Sequence, residues 1–163
     1  YKCAQELAAM GAKIIHPYSI LPCEKNKIPI KIKNTFNPNV ESTLISDFEV
    51  KSTIYSLTRQ SDISYFKITS MNMWNNYGFV NKIFKIFSEM KIDVNIINTS
   101  QFTITTTTDC DNHMLLKLAK DKLMKDYKVE LYHNLSLISI VGNYIHKNKN
   151  LDKIFKIVKF FII

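Results

Sequence analysis

The string KIFKIF fills positions 82–87, and KIFKIV recurs at 153–158. Both sit in the same setting. Val80, Ile83, Phe84 and Phe87 fall at i, i+3, i+4, i+7, and Leu151, Ile154, Phe155 and Val158 repeat that spacing. Each set is the apolar stripe of an amphipathic helix. A strand-like run and a glycine-bearing loop precede each helix: ISYFKITS and Gly78 in the first case, LSLISIV and Gly142 in the second. A lysine- and isoleucine-rich chain repeats such strings partly by accident. The matched place within strand, loop and helix predicts two copies of one β-α unit.

Around that repeat the periodicities change along the chain. YKCAQELAAM predicts a helix with Cys3, Leu7 and Met10 on one face and Gly11 as its C-terminal stop. KIIHP reads as a short buried strand ended by Pro17, and YSILPCEKNK as a helix with Pro22 near its first turn. IPIKIK alternates Ile28, Ile30 and Ile32 with Pro29, Lys31 and Lys33, a half-buried strand. NTFNPN is a turn cluster and STLIS a further short strand. Helix, strand, helix, strand is the tail of an α/β domain.

From about Val50 the runs KSTIYSLT, ISYFKITS, VNII and QFTITTTT read as strands. The helix carrying Ile83 and Phe87 is followed later by DNHMLLKLAKDKLMKDY, with Leu116, Ala119 and Leu123 as its stripe, and by the strand KVELYH. The order is β-α-β-β-α-β, a ferredoxin-like unit with one antiparallel sheet covered by two helices.

The 163 residues include 46% hydrophobic residues, enough for a core. No apolar run approaches the roughly 20 residues of a membrane span. The net charge of +8 comes almost wholly from lysine, and Arg59 is the only arginine, so the charge reads as a solvated surface rather than a nucleic-acid face. Cys3, Cys23 and Cys110 are far apart and lack metal-ligand spacing, as in a reducing cytoplasm. His113, His133 and His146 also lack that spacing, and His16 has no nucleophile or carboxylate partner in sequence, so a structural role is expected for it. The missing initiator Met and the apolar end KFFII lead us to expect a piece of a longer polypeptide.

Three collinear stretches resemble aspartokinase, the family that phosphorylates the side-chain carboxylate of aspartate. Glu6 to Ile45, with GAKIIHP, IPI, NTFNP and STLI, resembles the end of its catalytic domain. Ser70 to Asp109 resembles the first of its paired regulatory ACT modules, nearest to the lysine-sensitive branch. Asn134 to Asn143 resembles the start of the second module. The implied organisation is 1–46 as the end of the catalytic domain, 47–62 as a connecting linker and strand, 63–133 as the first ACT module and 134–163 as an incomplete second one. Ser42 stands where the family's GTLI has glycine. The family's catalytic N-terminal motifs have no counterpart here. The resemblance therefore implies aspartate kinase as the parent activity, with ATP and Mg2+ as the parent's cofactors, none held tightly by this chain, and no catalytic residue within it.

By the same resemblance, ACT modules pair side by side and trap an amino acid at the interface. The loop residues Met73, Asn76, Gly78, Phe79 and Val80 would line the effector pocket, with Asn95, Ser100 and Gln101 across from them. The physics suits an α-carboxylate: a helix N-terminus has unpaired N–H groups and partial positive charge, and Gly78 removes a Cβ from their approach. Lysine-sensitive relatives carry Asp and Glu where this chain has Asn95 and Gln101. Lysine is the implied effector, weakened by loss of both carboxylates. Phe36 and Asn37, in the NTFNP turn, lie where relatives touch the nucleotide. A cytoplasmic homodimer without nucleic-acid or membrane partners completes the expectation. Two rivals share the β-α-β-β-α-β order. A free-standing ACT sensor does not explain the kinase-like Glu6 to Ile45. An RNA-binding module lacks its basic-glycine-aromatic motif, since QFTITTTT offers one Phe among threonines.

Overall fold

The computed structural model describes residues 1–48, 56–73 and 77–142. The expected second helix at 151–158 and the start of KSTIYSLT lie outside the described residues. By contacts the chain divides into two compact units, Tyr1–Arg59 with Ile138–Ile163, and Gln60–Leu137.

In the first unit, α1 spans Lys2–Ala9 and ends where expected: Gly11 has φ 95°, and the Ala12 N–H reaches back to the Leu7 carbonyl at 2.9 Å. This is a glycine-terminated C-cap, in which a left-handed residue lets the next N–H satisfy a helix carbonyl. KIIHP does not form the expected buried strand. Ile14 is 71% exposed, and its N–H closes a tight turn on the Ala12 carbonyl. The chain there is already committed at both ends, by the α1 cap and by Pro17 opening α2 (Pro17–Lys25). Pro17 stands at the helix's first position, where its missing N–H costs nothing. His16 is the N-cap, its Nδ1 accepting the Tyr18 N–H at 3.3 Å, so its role is structural. Pro22 lies inside α2 rather than in its first turn, and Ile20 is the helix's buried anchor.

β1 (Ile30–Ile32) and β2 (Thr43–Ile45) form a two-stranded antiparallel sheet, pairing Ile30 with Ile45 and Ile32 with Thr43. The NTFNP cluster turns as expected: Asn34 Oδ1 accepts the Phe36 N–H at 2.9 Å, and the Asn34 carbonyl accepts that of Asn37 at 3.2 Å. Two successive helices and a hairpin thus replace the anticipated alternation of helix and strand.

The second sheet runs β4-β5-β3-β6. β3 spans Ser56–Thr69, β4 Ile96–Thr99, β5 Thr103–Thr108 and β6 Lys128–Val141; α3 (Phe79–Glu89) and α4 (His113–Leu123) complete the β-α-β-β-α-β order. β5 pairs antiparallel with both β3 and β4, so Tyr65 faces Thr107 and Ile96 also faces Thr107. β4 begins two residues later than VNII suggested. KVELYH and LSLISIV are one strand through Asn134, whose φ is 58°.

The core gathers Phe66, Ile68, Ile83, Phe87, Ile104, Leu116, Ala119 and Leu123, all nearly or wholly without solvent contact. The α4 stripe is as expected. In α3 Ile83 and Phe87 are buried as expected and Phe79 joins them, while Val80 is 47% exposed and Phe84 packs at the margin. Phe66 and Phe87 meet edge to face at 5.1 Å, as do Phe79 and Tyr127 at 5.0 Å. Among the described residues no helix is long and apolar enough to cross a membrane.

On β6, the Tyr132 hydroxyl donates to Glu130 at 2.7 Å, and Lys67 approaches the same carboxylate at 3.5 Å. The Tyr132 hydrogen bond, then Lys67, holds the Glu130 carboxyl below its ordinary range. A carboxylate with a lowered folded-state pKa contributes stability above its unfolded pKa and loses it as pH falls through the folded value. The stability advantage of the native chain over Glu130→Gln is therefore expected to be full at pH 7 and to shrink as pH falls from about 4 through the lowered folded value. Urea titrations of both proteins at pH 7 and down through that range check this; an equal gap throughout would remove the carboxylate from the account.

Candidate functional site

The candidate site lies at the end of the second unit where β3 finishes. Ser70 follows β3, and its N–H donates to the Phe102 carbonyl at 2.9 Å, tying the loop after β3 to the hairpin turn between β4 and β5. The Ser70 hydroxyl accepts the Asn72 N–H at 3.2 Å, and its carbonyl accepts that of Met73 at 3.4 Å, winding Met71–Met73 into a single 3-10 turn. The hairpin turn is equally fixed. The Ser100 N–H donates to the Thr103 carbonyl at 2.8 Å, and its hydroxyl accepts the Thr103 N–H at 3.1 Å. Met73, Ser100 and Gln101 are thus placed at the same end of the sheet.

α3 begins there as well. Gly78 is its N-cap with φ 78° and ψ 7°, a left-handed conformation that costs an L-residue about 1–2 kcal/mol. A Cβ at this position would meet nothing within 4 Å. The backbone angle, not crowding by the protein, calls for glycine, and the space in front of it is open. Gly78 supplies no capping side chain, and the first helical bond runs from the Lys82 N–H to the Gly78 carbonyl at 3.1 Å. The N–H groups of Phe79 and Val80 precede that bond and face outward along the helix axis, the arrangement that stabilises an anion. Phe79 contributes only backbone, because its ring is in the core against Tyr127.

Asn95 is placed differently. Its N–H donates to the Thr107 carbonyl at 2.8 Å, at the opposite end of β4 from Ser100. The four strand residues between them set the two about 16 Å apart. Within one copy the fold brings Met73, Gly78, Val80, Ser100 and Gln101 to one end and leaves Asn95 at the other. Asn76 and Trp74 lie outside the described residues. Phe36 is 99% exposed and, with Asn37, belongs to the first unit.

The Ser70–Phe102 clamp was absent from the sequence reading. It follows from the pairing of Thr69 with Thr103, which becomes visible only when the strands are in register. Asn95 and Gln101 end in neutral amides, able to donate and accept hydrogen bonds but not to balance a charge.

No protein-family model matches the chain. Over 96% of its length the chain is 31% identical to aspartokinase 3, chloroplastic, of Arabidopsis thaliana, and covers 30% of that protein. The aspartate kinase of Clostridium acetobutylicum superposes with a TM-score of 0.84 at 26% identity, covering 98% of this chain and 39% of that one. Escherichia coli aspartokinase III in complex with lysine and aspartate gives a TM-score of 0.76 at 26% identity, over 86% of this chain and 33% of its own. The fold alone is shared with a candidate C-terminal regulatory domain of aspartate kinase from Porphyromonas gingivalis, with a TM-score of 0.51 at 23% identity over 64% of this chain and 70% of that one. The chain is thus similar to aspartokinases along nearly its whole length, and it spans about three tenths of the curated relatives it matches.

Proposed function

We propose that this chain is the regulatory C-terminal part of an aspartate kinase. In this reading 1–46 end the catalytic domain, 63–133 form a ferredoxin-like ACT module, and 134–163 begin a second one. The parent would convert ATP and L-aspartate to 4-phospho-L-aspartate in the cytoplasm. The observation that carries the reading is the open, Gly78-capped start of α3 beside the clamped Ser100–Gln101 turn, in a sheet of order β4-β5-β3-β6. There the ligand's α-carboxylate takes the α3 N–H groups, and its amino groups take the amides and hydroxyl of the hairpin turn.

Asn95 enters the pocket through a second copy. Among the described residues β4 is the outer strand of its sheet, so two copies can extend one sheet across it. Antiparallel pairing of β4 with β4 sets the start of one strand beside the end of the other. Asn95 of one copy then meets Ser100 and Gln101 of its partner, closing the separation seen within a single copy.

The described residues hold no group of three or more His, Cys, Asp or Glu fit for a Mg2+ ion. The NTFNP turn offers Phe36 and Asn37 for nucleotide contact but no cationic side chain at those positions.

Calorimetric titration of the chain with L-lysine, L-threonine and L-methionine tests the reading. Saturable binding of lysine alone is expected, at one site per Gly78 pocket and with dimer formation seen by sedimentation. If none of the three amino acids binds, the effector assignment is wrong.

A further inference from the structure

His113 and His133 are far apart in sequence, but the fold brings them together. His113 opens α4 directly after its N-cap Asn112, and His133 lies on β6. Their Nδ1 atoms are 3.2 Å apart, and the rings meet edge to face with centroids 4.6 Å apart. The hydroxyl of Ser64, a buried β3 residue, lies 2.9 Å from the same His133 Nδ1. We propose that His113 and His133, with the Ser64 hydroxyl beside them, bind a late first-row divalent cation of the Zn2+, Ni2+ or Cu2+ type.

The spacing fits this role. A cation bonded to two imidazole nitrogens at about 2.0–2.1 Å holds them about 3.4 Å apart at a tetrahedral angle and about 2.9 Å apart at a right angle. The observed distance lies between those values. Imidazole nitrogen selects this class of ion over Mg2+ and Ca2+, which prefer oxygen donors. His113 is exposed and His133 half-buried, so an ion reaches the pair from solvent.

Two features limit affinity. No third His, Cys, Asp or Glu completes the set among the described residues, so water fills the remaining positions. Lys120, which acts on His133 electrostatically, also repels an arriving cation. The second feature gives a variant of opposite sign to ligand removal.

Zn2+ titration of the full chain, followed by histidine side-chain nitrogen NMR, resolves this site from any zinc taken up by cysteines. The Nδ1 signals of His113 and His133 are expected to move together along one saturation curve while those of His16 stay. His113→Gln should weaken zinc binding at His133 at least tenfold, and Lys120→Gln should tighten it severalfold. The unmutated chain suffices if His113→Gln fails to fold. Independent midpoints for the two histidines, no shift in either, or indifference to Lys120→Gln would overturn the site.

Discussion

Phe87→Ala is expected to cost the second unit about 3–5 kcal/mol, the range for removing a fully buried aromatic ring. Phe87 is 1% exposed, meets Phe66 edge to face at 5.1 Å and has Phe84 beside it at 5.9 Å. Truncation leaves a cavity between α3 and the sheet that neighbouring backbone closes only in part. Since a domain holds only about 5–15 kcal/mol in all, the variant should be near its unfolding midpoint under mild conditions. Urea denaturation followed by far-UV circular dichroism measures the loss. Phe36→Ala is the matched control, because Phe36 is 99% exposed and its removal should fall within about 0.5 kcal/mol of zero. Equal losses for the two variants would remove Phe87 from the core and α3 from its place on the sheet.

The contrast between those phenylalanines was legible in sequence for physical reasons. Phe87 belongs to a helical stripe, and Phe36 to a turn cluster with no periodicity. The same signal picked out Leu116, Ala119 and Leu123, each without solvent exposure. It misplaced the start of α3 because the apolar stripe does not reveal where the first turn begins. Gly78, left-handed, fixes that point, and Phe79, four residues before Ile83 and eight before Phe87, completes their buried face while Val80 stays at its margin. Strand limits were read least well. Asn134 looks like a turn residue and adopts the φ of one, yet β6 continues through it. β4 ends on Asn98 and Thr99 at an exposed edge, where no inward face imposes alternation. KIIHP is apolar enough for a strand, but the Gly11 cap and Pro17 leave it no length to pair.

Site legibility divides in the same way. Gly78 and the Ser100–Gln101 turn enter through the resemblance alone; the left-handed φ of Gly78 and the Ser100–Thr103 hydrogen bonds are what the structure adds. The Ser70–Phe102 clamp and the His113–His133 pair depend on strand register and helix placement, which no local spacing encodes. The distance of Asn95 from its expected companions is a register effect too.

Converting Asn95→Asp and Gln101→Glu together is expected to raise lysine affinity about a hundredfold, about tenfold for each. A hydrogen bond to a charged partner contributes about 1.5–3 kcal/mol, against about 0.5–1.5 for a neutral one, and a difference of about 1.4 kcal/mol is tenfold. In the paired arrangement the two side chains meet one ligand, so each single variant measured beside the double one reports how far their contributions add. Norleucine, which keeps the chain length and α-groups but lacks the ε-ammonium, distinguishes a specific gain from a general rise in negative charge. Its affinity should not increase. Equal gains for lysine and norleucine would mean that neither amide faces the ammonium. A gain from Gln101→Glu that Asn95→Asp does not share would keep the α3 pocket and break the β4–β4 pairing, because Asn95 can reach that pocket only from the other copy.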